Sequence, residues 1–94
     1  MAGSEQRAVF NTLGYLFDEL EEALREHPAR HPSLEHSCFL IEEELKELQK
    51  ELYTKEAYRD MGDIRTEALH VAVCAIRLVV ESYLRMEDKD GATL

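Results

Sequence analysis

A chain of 94 residues, 33% of them charged and 45% hydrophobic, has the composition of one globular domain near the small end of what folds unaided. Its formal net charge of −9 argues against a nucleic-acid backbone or an anionic membrane surface as partner. A phosphate-bearing ligand stays open, because a bound divalent cation inverts the local sign. No apolar run approaches the roughly 20 residues of a membrane span, and the opening Met-Ala-Gly-Ser-Glu-Gln-Arg lacks the apolar core of a signal peptide. Cys38 and Cys74 fall in apolar helical stretches with no disulfide framework around them, and read as reduced core thiols. The expected compartment is the cytoplasm.

The first predicted helix runs from about Glu5 to Glu26, with Val9, Leu13, Leu16, Phe17, Leu20 and Leu24 in a stripe of three- and four-residue steps. Pro28 and Pro32 interrupt any helix, so His27 to Pro32 is expected to be a tight connector. Ser33 then suits the N-cap of a second helix that continues to about Tyr53. A polar stretch from Thr54 to Gly62 follows. Asp60 or Asp63 would cap a third helix that continues to about Glu87, with Gly91 in a frayed tail. Strand signals are absent: there is no sustained alternation and no hairpin dipeptide. The expected fold class is all-α, one domain over the whole chain.

From Val71 to Val80 the third helix is apolar on every face except at Arg77. Such a helix must be covered all round, and two amphipathic partners in so short a chain scarcely suffice. A second subunit would complete the cover, so the sequence predicts a homodimer, or a dimer of dimers, with a four-helix core across two chains.

Acidic residues break two of the apolar faces. At about 100° per residue, Cys38, Ile41, Leu45, Leu48 and Leu52 define the apolar arc of the second helix, widened on one side by Leu40. Glu44 and Glu51 project within that arc, Glu47 lies at its edge, and Lys46 and Lys50 lie opposite. On the third helix Glu67 is flanked by Ile64, Val71, Cys74 and Leu78, with His70 about 60° round from it. Residues three apart share a helix face, so Glu44-x-x-Glu47 and Glu67-x-x-His70 on packed helices would converge carboxylates and an imidazole. Glutamates in a run such as 42–47 are ordinarily solvated, helped by pairs such as Glu42 with Lys46. A buried, unpaired carboxylate, however, costs several kcal/mol, so Glu44 and Glu67 imply a cation or shared proton between them.

Glu43-Glu44-Leu45-Lys46-Glu47 resembles the E-E-x-x-E motif of the MazG-like all-α nucleoside triphosphate pyrophosphohydrolases, and Glu67-Ala68-Leu69-His70 stands where that family usually has E-x-x-D. His31-Pro32-Ser33-Leu34-Glu35-His36 ahead of the motif helix, and Val71-Ala72 leading to Ala75-Ile76-Arg77, are similar to a small bacterial and phage branch. The resemblance covers about His31 to Glu81. It implies Mg²⁺ or Mn²⁺ held by Glu44, Glu47 and Glu67 with His70 in or beside the ligand set. It also implies a metal-activated water attacking the α-phosphorus of a nucleotide, releasing pyrophosphate and a monophosphate. Glu43 would orient a ligand or act as base; Lys50, Lys55, Arg59 and Arg77 are candidates for phosphate neutralisation. The departure is His70: imidazole suits Zn, Fe or Mn better than Mg. That leaves one metal rather than two, a water-mediated contact, or a retained fold without catalysis as open outcomes.

Two other readings fit the same residues. One is a non-catalytic helical dimer with a regulatory or assembly role, in which Glu44 and Glu67 are tied to Arg or Lys. The other is a carboxylate-bridged di-metal bundle built on the Glu67-x-x-His70 spacing. Other chemistries lack their residues: there is no Gly-rich phosphate loop and no CxxC. His27, His31 and His36, beside prolines, read as turn or cap residues rather than ligands. Tyr15, Phe17, Phe39 and Tyr58 are candidates for stacking on a base, though each reads more readily as a core or surface aromatic.

Overall fold

A computed structural model describes residues 2–27 and 31–91, with side chains through residue 87. The described residues form three helices and one short 3₁₀ turn: α1 (Gly3–Glu26), α2 (Leu34–Leu52), the turn Glu56–Tyr58, and α3 (Met61–Gly91). Among these residues there is no strand, and no helix is long and apolar enough to cross a membrane. Pro28 of the expected connector lies outside the described residues.

Local chemistry sets the helix ends. The Ser33 hydroxyl accepts from the backbone N–H of His36 at 3.0 Å, which makes Ser33 the N-cap of α2. Of the two candidates for the third helix, Asp60 caps it. One carboxylate oxygen accepts from the N–H groups of Gly62 and Asp63, at 2.7 and 3.1 Å. A Cβ at Gly62 would stand 3.0 Å from that same oxygen, so glycine leaves the cap uncrowded. With Asp60, the earlier of the two, as cap, α3 begins at Met61, and with no breaker before Gly91 it continues past Glu87. Between α2 and α3, Thr54 donates to the Lys50 carbonyl and Arg59 donates to the Thr54 carbonyl, each at 3.1 Å, folding the polar stretch into a compact turn.

α2 and α3 pack along each other as an antiparallel hairpin, shown by the meeting of Glu44 with His70 near its middle and of His31 with Glu81 and Arg85 at its open end. That open end is closed by a polar network. The buried Glu81 carboxylate accepts from the His31 N–H at 3.1 Å, and Arg85 donates to the His31 carbonyl at 3.0 Å. The fully buried Ser37 hydroxyl and His31 Nδ1 share a 2.6 Å hydrogen bond. Arg77 adds a bond to the His27 carbonyl at 3.0 Å, so both ends of the α1–α2 connector are fastened to α3.

α1 packs against α3 and not against α2. No residue of α1 is buried, and residues 2–15 are all exposed. Its predicted apolar stripe therefore lies largely open, with Val9 43%, Leu13 55% and Phe17 61% exposed, while Leu16 and Leu20 are part covered. Across the described residues Val73 is the single buried hydrophobic side chain. The fully apolar segment of α3 is only part covered, and Val79 is 52% exposed. The radius of gyration is 16.3 Å, against about 12 Å for a compact domain of this length.

Candidate metal centre

Three of the predicted residues come together. Glu44 of α2 and Glu67 and His70 of α3 each offer a ligand atom, and these atoms all lie within 4.8 Å of one another. His70 Nδ1 stands 3.6 Å from Glu44 Oε2 and 3.5 Å from Glu67 Oε2. Both separations exceed the roughly 2.7–3.2 Å of a well-made N–H···O bond, so the imidazole sits between the two carboxylates without closing on either. The geometry follows from sequence. Glu67 and His70 are one turn apart on α3, and Glu44 breaks the arc by which α2 packs on that helix. All three are half-buried. Among the described residues, the ion pairs of Glu44 and Glu67 are with His70 alone, not with Arg or Lys.

The donor set fits a divalent cation. Ligand atoms about 2.1–2.3 Å from a metal lie roughly 3 Å apart when adjacent, so the His70 Nδ1 separations of 3.6 and 3.5 Å from Glu44 and Glu67 would close by about half an ångström on binding. Two carboxylates and one imidazole also suit Mn²⁺, whose position between hard and borderline metals accepts both donor types.

The other predicted residues stand elsewhere. Glu47 and Glu43 share a shallow depression on the outer side of α2 with Phe39 and Lys46, and Glu44 forms the ridge between that depression and the cluster. Glu47 is about 60° round α2 from Glu44, enough to carry it off the edge that meets α3. Lys50, exposed on α2, and Lys55, exposed in the turn, are not gathered at the cluster. Arg77 is nearer: besides its bond to His27 it lines the cleft that opens beside Glu44 and His70.

That cleft holds residues the sequence reading passed over. Glu19, Glu22 and Glu26 of α1 line it opposite Glu44, His70, Cys74 and Arg77. Their spacing places them on one face of α1, a signal available in the sequence but overshadowed by the apolar stripe. A neighbouring depression is lined by Tyr15 and Glu19 of α1 and by Arg65, Thr66 and His70 of α3. His70 is common to both, so it stands between two arginines on α3, Arg65 in one depression and Arg77 in the other.

Electrostatics separate two further groups. Burial pushes the Cys74 thiol up from its ordinary range, the Glu44 carboxylate adds to that, and Arg77 opposes it. Cys74 is therefore a protonated, poorly nucleophilic wall of the cleft. At the hairpin's end, burial lowers the affinity of His31 for a proton, as do Arg77 and His36, while Glu81 works the other way.

Compared with known proteins, the chain matches no family model, no curated protein and no solved structure.

Proposed function

We propose that this chain is a divalent-metal-dependent nucleotide pyrophosphohydrolase of MazG-like type, working as a homodimer or a dimer of dimers. The observation that carries the reading is the meeting of Glu44, Glu67 and His70, from two helices, within 4.8 Å. Glu44 and Glu67 would hold Mg²⁺ or Mn²⁺ through hard oxygen donors, and His70 through Nδ1, a combination that favours Mn²⁺. A cation held by these residues would supply positive charge for a polyphosphate and a more acidic water for hydrolysis at the α-phosphorus. The chain's own residues supply the rest. Arg65 and Arg77 flank His70 and offer fixed positive charge to a polyphosphate in an otherwise acidic cleft. Tyr15, 64% exposed beside the same histidine, offers a ring face to a base. Of the three α2 glutamates Glu43, Glu44 and Glu47, it is Glu44 whose carboxylate stands beside His70; Glu43 and Glu47 line the depression with Phe39 and Lys46 and act, on this reading, outside the ligand set.

The two-chain assembly is supported by surface. The chain exposes 7394 Å², where a compact monomer of its mass exposes about 5,600 Å². An excess of that size on each chain corresponds to an obligate homodimer interface rather than a transient one. The test of function is release of pyrophosphate from a nucleoside triphosphate with Mn²⁺ or Mg²⁺, lost in Glu67→Gln. A folded chain that binds the metal but leaves every nucleotide intact would transfer the site to a non-catalytic role.

A further inference from the structure

The hairpin has two broad sides. Glu44, His70 and Arg77 mark one of them, the side that looks onto α1 across the cleft. On α3, Ala75, Val79 and Met86 lie roughly 160° round from His70 and Arg77, and all three are exposed. On α2, Cys38 and Leu45 lie about 100–120° round from Glu44, also exposed. These five residues form an apolar strip down the side of the hairpin away from α1. The second open apolar surface is on α1 itself. Phe10, Leu13, Phe17, Leu20 and Leu24 step by three and four residues, the spacing of a seam that meets another helix. The end of that seam at Phe10 and Leu13 belongs to the stretch in which every described residue is exposed.

We infer that the first half of α1 is an arm that docks on the apolar strip of α2 and α3 in a second copy of this chain, the two copies exchanging arms about a two-fold axis. Three observations select a second copy as occupant. One chain carries both halves of the contact, a projecting apolar ridge and an unpartnered apolar strip, which is what an isologous exchange requires. The surface excess of roughly 1,800 Å² per chain is that of a large interface, 7394 Å² against about 5,600 Å². The ridge is also uncovered within one chain, residues 2–15 being exposed throughout. The inference rests on the two-chain reading above and not on the metal. Because the strip lies on the side of the hairpin away from Glu44 and His70, each protomer keeps a whole ligand set, and the arms organise the assembly without entering the cleft.

Phe10→Glu combined with Leu13→Glu tests it. Both positions lie in the stretch exposed throughout, and glutamate keeps helix propensity, so the hairpin and the Glu44–Glu67–His70 cluster are left intact. Sedimentation velocity over a concentration series should show a wild-type dimer whose dissociation constant rises about 100-fold or more in the double variant. Cys38 is an internal reporter: exposed in the protomer, it should be protected from maleimide in the wild-type dimer and labelled about tenfold faster in the variant, read by peptide mapping. A wild-type chain that stays monomeric at high concentration would overturn both the arm exchange and the two-chain reading, leaving the two faces to a different protein. A dimer whose dissociation constant and Cys38 labelling ignore the substitutions would overturn the arm exchange alone and leave strip-to-strip packing of the hairpins. Mn²⁺ binding in either case reports separately on the metal centre.

Discussion

His70 Nδ1 on α3 stands 3.6 Å from Glu44 Oε2 on α2, and this contact joins the two motif helices at their chemistry-bearing residues. With Glu67 Oε2 at 3.5 Å on the other side, the imidazole and the two carboxylates gather their donor atoms where a cation could sit among them. If that is its role, Mn²⁺ titrated against the protein and followed by electron paramagnetic resonance should bind. Glu67→Gln should weaken it by about tenfold or more, as losing one of the two hard anionic donors entails. Unchanged Mn²⁺ affinity in that variant would remove Glu67 from the ligand set.

His70→Asp is expected to move metal preference toward Mg²⁺, because it replaces a borderline nitrogen donor by a hard oxygen. The readout is the ratio of Mg²⁺- to Mn²⁺-supported pyrophosphate release, which should rise in the variant. A ratio that stays the same would mean that His70 holds no metal and acts only as a positioning group between Glu44 and Glu67.

How much of this was legible in the sequence depends on distance along the chain. The pair Glu67 and His70 is written into one helical turn, and Glu44 is marked by breaking an apolar arc, so their convergence follows from periodicity once the helices pack. Glu47 reads as an equal partner of Glu44 because i,i+3 residues share a face. Yet α3 meets α2 on the edge that carries Glu44, and a turn of about 60° is enough to leave Glu47 outside. The His31–Ser37–Glu81–Arg85 network was not legible, since it ties residues about 50 positions apart through backbone atoms that no pattern of side chains encodes. Histidine beside a proline reads as a turn residue, and His31 does lie just ahead of the bend at Pro32 that leads into α2. Its ring is nonetheless engaged with a buried serine. The apolar run of α3 signals that cover is required but not which surface provides it, and the open stripe of α1 is the visible consequence.

That network gives a pH dependence. The Ser37 hydroxyl donates to Nδ1 when that nitrogen is bare and accepts from it when it carries a proton, so the bond is kept; a second ring proton adds charge in a part-buried place close to Arg77 and His36. The folded chain therefore holds the His31 proton more weakly than the ordinary value of 6.5 at which the unfolded chain titrates. The unfolded state binds more protons below that value, so this contribution is complete above about pH 6.5 and is lost as pH falls through the lower folded value. Urea denaturation between pH 8 and pH 5 at fixed protein concentration should show stability falling more steeply in wild type than in His31→Gln. Parallel curves would show that the ring contributes no such linkage.

Glu81 can be tested separately. Its carboxylate is 6% exposed and accepts from the His31 N–H, so Glu81→Ala leaves a donor without its partner and empties a buried position. The cost should be about 1–3 kcal/mol by urea denaturation. Ser33→Ala, which removes the hydroxyl capping α2, should cost about 1 kcal/mol. If Glu81→Ala costs less than Ser33→Ala, the network at the hairpin's open end is not what fastens the connector.

The most direct test of the central claim is hydrolysis of a panel of nucleoside triphosphates in ¹⁸O-water with Mn²⁺ and with Mg²⁺, analysed by mass spectrometry of the products. The account predicts unlabelled pyrophosphate and a monophosphate carrying the ¹⁸O, both lost in Glu67→Gln. Intact nucleotide across the panel from folded, dimeric, Mn²⁺-binding protein, or label appearing in orthophosphate instead, would contradict it.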